Sequence, residues 1–323
     1  MAINTIPVTP ALVPLTTRLK AHVAIARLDH SIKNVFVIPG IVVALSVTRS
    51  SFTATMGRNI FLGFIATTLI ACSNYVVNEV LDAPFDRLHP TKKNRPAALG
   101  LVNIPLAYAQ WILMMVAGIA VSLLISTPFA ITAAALWVMG CLYNIRPFRT
   151  KDVVYLDVVT ESINNPLRML LGWYMITSTL LPPASLLCCY WMLGCFFMAL
   201  KRFSEYREIG DVASAGSYRE SFKHYTERSL LESITFYASF AMLMFGAFIM
   251  RYRLELILSF PFVALMMATY FHLAFKPNSS VQNPEKLYRE PLLMAEFVVT
   301  SIVIVTLLFV RIPLLSKLFT ASV

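Results

Sequence analysis

Asn78, Asp82 and Asp86 recur every four residues at the end of a long apolar run, with Glu79 beside the first of them. On a helix that spacing places an amide and two carboxylates on one face. Carboxylates at a membrane boundary are costly unless a cation compensates them. Hard oxygen donors of this kind suit Mg2+ that is also held by phosphate oxygens. Arg87, Lys92, Lys93 and Arg95 follow within ten residues of Asp86. Such a cluster either anchors the chain at the membrane surface or clamps phosphate oxygens. Acidic groups for a metal beside basic groups for an anion point to a metal-bound diphosphate.

Three further constellations have chemistry available to them. In Tyr143-Asn144-Ile145-Arg146-Pro147-Phe148-Arg149-Thr150-Lys151, Arg149 and Lys151 alternate as phosphate-binding residues would on an extended stretch of loop. Asp157, Glu161, Asn165 and Arg168 lie inside an apolar segment and share one helical face. Groups like these within a membrane face a cavity or one another, so a cavity wall competes with a Glu161–Arg168 ion pair that only holds the bundle. Lys201, Arg202 and Glu205 close another apolar run. Lys201 and Glu205 are one turn apart and can pair, or the two cations reach a phosphate. Lys33 and Asn34 enter the first apolar run, where snorkelling alone accounts for the lysine. No Ser-His-Asp set and no glycine-rich phosphate loop is apparent.

The elements that must position these groups are membrane helices. The chain has 323 residues, 58% of them hydrophobic, and a mean hydropathy of +0.69. That composition predicts an all-α integral membrane protein rather than a soluble one. Nine runs are long enough to span: about 33–48, 59–83, 104–126, 128–144, 157–178, 183–205, 228–250, 253–275 and 291–315. With the N-terminus inside, 20 of the 27 Lys and Arg fall on cytoplasmic segments, the bias that orients membrane proteins. The prediction is nine transmembrane helices around a central cavity, with the N-terminus and the candidate site cytoplasmic. Residues 1–19 form a tail, and 20–323 form one membrane domain. Residues 1–17 carry no charge and three prolines, so no cleavable signal peptide is expected. Membrane-flanking loops explain the net charge of +10 without nucleic acid. The five cysteines all lie in apolar runs without metal-ligand spacing, which favours packing.

Asn78-Glu79-x-x-Asp82-x-x-x-Asp86 resembles the first signature of the UbiA prenyltransferase superfamily, Asn-Asp-x-x-Asp-x-x-x-Asp. The segment from Tyr143 through Arg149 and Lys151 is similar to that family's loop after its fourth helix. The resemblance covers about residues 20–315. It implies nine helices around a cavity open to the cytoplasm and sideways to lipid, with Asn78, Asp82 and Asp86 as Mg2+ ligands.

The second signature departs from the usual pattern. Where typical members carry a second Asp-rich motif at the end of helix six, this chain has Lys201-Arg202-Phe203-Ser204-Glu205. That pattern, with Lys33-Asn34, Asp86-Arg87-x-His89-Pro90-x-Lys92 and Arg95-Pro96, resembles the polyprenyl-phosphate phosphoribosyltransferase branch. The resemblance implies Mg2+-dependent transfer of a 5-phosphoribosyl group from phosphoribosyl diphosphate to a polyprenyl phosphate in the bilayer, releasing pyrophosphate. In that reading Glu161 steadies an oxocarbenium-like centre, and Lys201, Arg202, Arg149 and Lys151 bind the 5-phosphate or the lipid phosphate. The bacterial inner membrane is the expected location. Two alternatives remain: a prenyltransferase of the same fold acting on an aromatic or other apolar acceptor, and a transporter using the acidic face and Arg168 as an ion path.

Overall fold

The computed structural model describes residues 14–49, 51–87, 92–210, 216 and 219–319. Among these the chain is helical, with no strand. The helices are α1 (Leu15–Ile25), α2 (Ile38–Thr48), α3 (Ala54–Asp86), α4 (Ile104–Leu123), α5 (Thr127–Asn144) and α6 (Leu156–Ser162). Then come α7 (Asn164–Ile176), α8 (Ala184–Ile209), α9 (Glu227–Tyr252), α10 (Phe260–Leu273), α11 (Pro291–Phe309) and α12 (Pro313–Phe319). His89 and Pro90 of the sequence motif lie outside the described residues, as does most of the predicted tail.

Local sequence sets the helix ends. Thr53, Asn103 and Ser126 each accept a backbone N–H of the first turn that follows, at the starts of α3, α4 and α5. Thr226 and Ser229 form a reciprocal cap at the start of α9. Gly210, at φ +68°, takes the left-handed conformation that ends α8.

Among the described residues, seven helices are long and apolar enough to cross a membrane; the segment Leu254–Leu273, which includes α10, is one of them. The pair Leu15–Ser31 and Lys33–Thr48, bent by 43°, makes an eighth if it acts as one span. The predicted span at 157–178 is instead two helices, α6 and α7, meeting at Ile163. Pro166 accounts for the interruption: it has no N–H to give the Ser162 carbonyl and its ring crowds that carbonyl. Neither piece alone is long enough to span, and nine single spans are not reached among the described residues.

Helices α2, α8, α9, α10 and α11 build the largest buried core, around Phe203, Phe222, Phe248 and Trp173. A second cluster joins α1, α3 and α4, and a third joins α2, α3, α5 and α7. Against α7 the backbone of α2 comes unusually close. A methyl group on Gly40 would collide with the Met169 carbonyl, and one on Gly172 with the Val37 carbonyl. Gly172→Ala must therefore push the two helices apart and is expected to cost about 1–3 kcal/mol. A lowered melting temperature in detergent would show it, and an unchanged one would contradict the close approach.

Candidate active site

Helix α3 runs to Asp86 and presents its acidic face to the segment after α5. Asn78 Nδ2 donates to Asp82 Oδ2 at 3.2 Å and also to Asn144 Oδ1, so the predicted shared face is present. Asp82 Oδ1 accepts from Lys151 Nζ and, at 3.1 Å, from Arg149 Nη2. Lys151 also reaches Asn144 Oδ1 at 2.9 Å. One turn on, Asp86 Oδ2 pairs with Arg95 Nη1 at 2.7 Å.

The two cations at Asp82 do not alternate on an extended strand, as the sequence suggested. Thr150–Asp152 form a 3-10 turn, entered from Arg149 at φ 31°. Left-handed backbone at a non-glycine residue costs on the order of 1–3 kcal/mol. It is held by Arg149 Nε donating to Asp152 Oδ2 at 2.7 Å and by the guanidinium lying over the Phe85 ring. Burial holds the Lys151 ammonium below the ordinary lysine range, against the attraction of Asp82.

Lys92 lies within electrostatic reach of both Asp86 on α3 and Glu205 at the end of α8. Arg202, 2% exposed, donates through Nε to Asp157 Oδ2 at 2.9 Å and through Nη1 to Glu205 Oε2 at 3.2 Å. Tyr225 and Ser221 donate to the same Asp157 carboxylate. Arg202 therefore joins α8 to α6 and Asp157 joins α6 to the segment before α9, so the guanidinium is not bare. Lys201 makes a longer pair with Glu205, at 3.9 Å.

The polar residues of α6 and α7 do not lie on one continuous helix, because the chain breaks at Ile163, yet Glu161 and Arg168 both lie within electrostatic reach of Tyr75. Asp157 turns to Arg202, and the Asn165 amide fills the space above Gly194. Glu161 lies within electrostatic reach of Tyr75 and Tyr143. No ion pair joins Glu161 to Arg168 among the described residues. Arg168 is 8% exposed; its Nη1 contacts the Asn164 carbonyl at 3.5 Å, and its Nε is buried without a partner. A guanidinium so placed is expensive unless a ligand answers it.

Lys33 lies over the Tyr75 ring, and Asn34 Nδ2 donates to Thr68 while its Oδ1 is buried and unpartnered. The Lys151 ammonium lies over the Tyr143 ring. Arg87 does not join the site: its Nε donates to the Ala98 carbonyl and ties down the loop after α3. Lys92 is half-buried. Burial, with Arg219 and Arg95 nearby, pushes its ammonium down to about 8.

Three contributors carry no motif in the sequence. Asn144 bridges Asn78 and Lys151, and its place as the last residue of α5 was the available signal. Tyr75 sits under Arg27 and Lys33; a tyrosine one turn before Asn78 on the same helix could have been noticed. Arg219 comes from a long connection, and no spacing rule places it.

As metal ligands, Asn78, Asp82 and Asp86 supply hard oxygen chemistry, but no group of three acidic, His or Cys side chains is gathered among the described residues. The set suits Mg2+ shared with phosphate oxygens, which needs only one or two carboxylates. The half-buried Asp82 carboxylate already demands positive charge, which Lys151 and Arg149 provide here.

The model of the UbiA prenyltransferase family matches residues 36–315. The chain belongs to that family and is an integral membrane transferase. Decaprenyl-phosphate phosphoribosyltransferase of Mycolicibacterium smegmatis is 28% identical over 200 residues, 62% of this chain and 60% of that enzyme. Protoheme IX farnesyltransferase 2 of Vibrio parahaemolyticus is 26% identical over 183 residues, 53% of this chain and 63% of that enzyme. The chain thus spans less than two thirds of each of these relatives. A UbiA homolog from Archaeoglobus fulgidus, solved with DMAPP and Mg2+, superposes with a TM-score of 0.65 at 14% identity, over 88% of this chain and 96% of that one. That likeness establishes the fold. Family membership sets the transporter alternative aside.

Proposed function

We propose that this chain transfers a 5-phosphoribosyl group from phosphoribosyl diphosphate to a polyprenyl phosphate, releasing pyrophosphate. The observation that carries the reading is the end of α8. Where a second acidic cluster would hold another metal, Arg202 is engaged by Asp157 and Glu205, and Lys201 stands beside it. Arg168, whose buried Nε has no partner among the described residues, adds a further cation. Two phosphorylated substrates need several anion sites, whereas a prenyl diphosphate with an apolar acceptor needs one. The Mycolicibacterium relative's activity supports the same choice.

In this reading Asn78, Asp82 and Asp86 hold Mg2+, which when bound neutralises charge on the leaving pyrophosphate. Lys151, Arg149 and Arg95 complete the positive surroundings of that group. The C1–O bond of the donor breaks, and its electron pair leaves with pyrophosphate. An oxygen of the lipid phosphate forms the new bond to C1. That oxygen is already anionic, so no strong base is required. Glu161, free of ion pairs among the described residues, faces the positive charge developing on the sugar. Asn165 and Tyr143 shape the wall, and Lys33, Arg168 and Lys201 bind phosphate. Arg202 and Glu205 position Lys201. The site and N-terminus face the cytoplasm of a bacterial inner membrane, and the lipid tail lies between apolar helices.

The farnesyltransferase relatives favour a second reading, transfer of a polyprenyl group from its diphosphate to an aromatic or other apolar acceptor. Purified protein and Mg2+ are given labelled phosphoribosyl diphosphate with polyprenyl phosphate, and separately labelled prenyl diphosphate with an aromatic acid. Product in the first mixture is expected; product in the second alone would overturn the choice.

Two further results are expected. Lys92 binds an anion only when protonated, so KM for the donor should rise about tenfold between roughly pH 7 and 9. Lys92→Arg should flatten that rise, and an unchanged slope would remove Lys92 from the site. Glu161→Gln should lower kcat about a hundredfold with KM little changed, as for a group that acts on the transition state. A rise in KM alone would make Glu161 a binding residue.

A further inference from the structure

Arg49, Arg253 and Arg311 line one cavity of about 510 Å3, together with Leu45, Ser46, Phe52 and Phe309. They follow the ends of α2, α9 and α11, and all three helices lead away from the candidate active site. Helix α2 comes after Lys33 and Asn34, and α9 after Tyr225, which donates to Asp157. Helix α11 comes after Gln282, which donates to Glu208 near the end of α8 at 2.6 Å. Helix α3 starts just beyond Phe52 and reaches Asp86 after 33 residues, so roughly 50 Å of helix separates the cavity from the acidic face. Six Lys and Arg lie outside the spans and away from the predicted cytoplasmic segments: Arg49, Arg58, Arg251, Arg253, Arg311 and Lys317. Half of them gather here, on a face where cations are otherwise scarce.

A cation just past a helix C-terminus is favoured by the helix dipole, and that accounts for each arginine singly. It does not account for their sharing one cavity, where they repel one another. The segments 45–53, 251–259 and 306–313 hold one acidic residue, Glu255. Its Oε1 accepts the Ile312 N–H at 3.3 Å, and no ion pair joins it to these arginines among the described residues. Three cations meet one acid even when Glu255 is counted whole. The backbone also aims the cations. Arg253 Nη2 donates to the Ser46 carbonyl at 3.4 Å. Arg49 closes α2 at φ 49°, the left-handed conformation that glycine or asparagine usually supplies. A guanidinium kept there despite the strain is the pattern of a residue held for its side chain.

We infer that Arg49, Arg253 and Arg311 bind the phosphate of an anionic phospholipid, in the leaflet away from the candidate active site. Planar guanidinium groups match phosphate oxygens. Phe52 and Phe309 are exposed beside them and give the first acyl carbons an apolar wall. The cavity lies where membrane helices end, at the level of lipid headgroups, so the ligand reaches it along the bilayer. A zwitterionic lipid offers the same phosphate but carries a cationic headgroup that three arginines repel. A lipid seated here bridges the ends of α2, α9 and α11. The site does not depend on which group the candidate active site transfers.

Native mass spectrometry of the full chain in detergent counts each bound lipid and gives its Kd. The titrants are phosphatidylglycerol, phosphatidylcholine with the same acyl chains, and inorganic phosphate. Arg311→Gln should weaken phosphatidylglycerol about fivefold, the size of one basic residue beside an anionic membrane surface, and Arg49→Gln with Arg311→Gln roughly twentyfold. The native protein should prefer phosphatidylglycerol to phosphatidylcholine, and the doubly substituted protein should not. The inference is overturned if the native protein binds the two lipids alike, or if the preference survives both substitutions, as it would for a lipid held at the candidate active site. It is also overturned if inorganic phosphate displaces phosphatidylglycerol at equal concentration. Should the doubly substituted protein fail to fold, Arg49→Gly keeps the comparison. It removes a guanidinium and relieves the left-handed backbone, so its melting temperature without lipid should not fall while its preference for phosphatidylglycerol does. An undiminished preference in Arg49→Gly would overturn the site as well.

Discussion

Asp82→Asn should reduce Mg2+-dependent turnover by about a hundredfold to a thousandfold, the scale of a lost contact to developing charge, and leave the protein folded. Asp82 is where amide, ammonium and guanidinium converge: Asn78, Lys151 and Arg149 all donate to it. A carboxamide in its place keeps an acceptor for these groups but gives up the charge that a divalent cation needs. Folding should survive because Lys151 keeps Asn144 Oδ1 as an acceptor at 2.9 Å and Arg149 keeps its pair with Asp152 at 2.7 Å. Steady-state rates across a Mg2+ titration, beside melting curves in detergent, separate the two effects. A folded Asp82→Asn protein with native turnover would remove the metal role from this helix face.

Arg202→Met should act in the opposite way, on stability before chemistry. Its guanidinium is 2% exposed and is shared between Asp157, fully buried, and Glu205, 8% exposed. Removing one partner of a buried pair strands the others, at about 3–5 kcal/mol. Arg202→Lys should recover little, because an ammonium cannot present two parallel donors to two carboxylates. Asp157→Asn combined with Arg202→Met should recover part of the loss, since one stranded charge is gone. Thermal unfolding in detergent reads all three. A stable Arg202→Met protein that had lost only phosphate affinity would return Arg202 to the substrate.

The membrane class was legible because it depends on quantities summed over long stretches, apolar length and the placement of Lys and Arg. The α3 face was legible too, because Asn78, Asp82 and Asp86 lie on one uninterrupted helix and fixed spacing then means a shared face. The same inference failed at Asp157, Glu161, Asn165 and Arg168. Pro166 stands among them and the helix breaks at Ile163, so one period does not run through all four, while Asp157 is claimed by Arg202. Sequence placed Arg202 beside Lys201 but carried no sign that Asp157, 45 residues earlier, would claim it. Arg149 and Lys151 were found for the right charge and the wrong backbone, since left-handed φ at an arginine leaves no mark in the sequence. Arg219 was missed because its position comes from the packing of a long connection, not from any local period.

The central claim is that a phosphoribosyl group, not a prenyl group, is what moves. Two preparations of phosphoribosyl diphosphate, one labelled with 32P at the 5-phosphate and one at the terminal phosphate of the diphosphate, are incubated with the protein, Mg2+ and polyprenyl phosphate. The account predicts that the first label enters the organic phase with the lipid and the second stays in water as pyrophosphate. Both labels remaining in water, while a labelled prenyl diphosphate gives its prenyl group to an apolar acceptor, would contradict it.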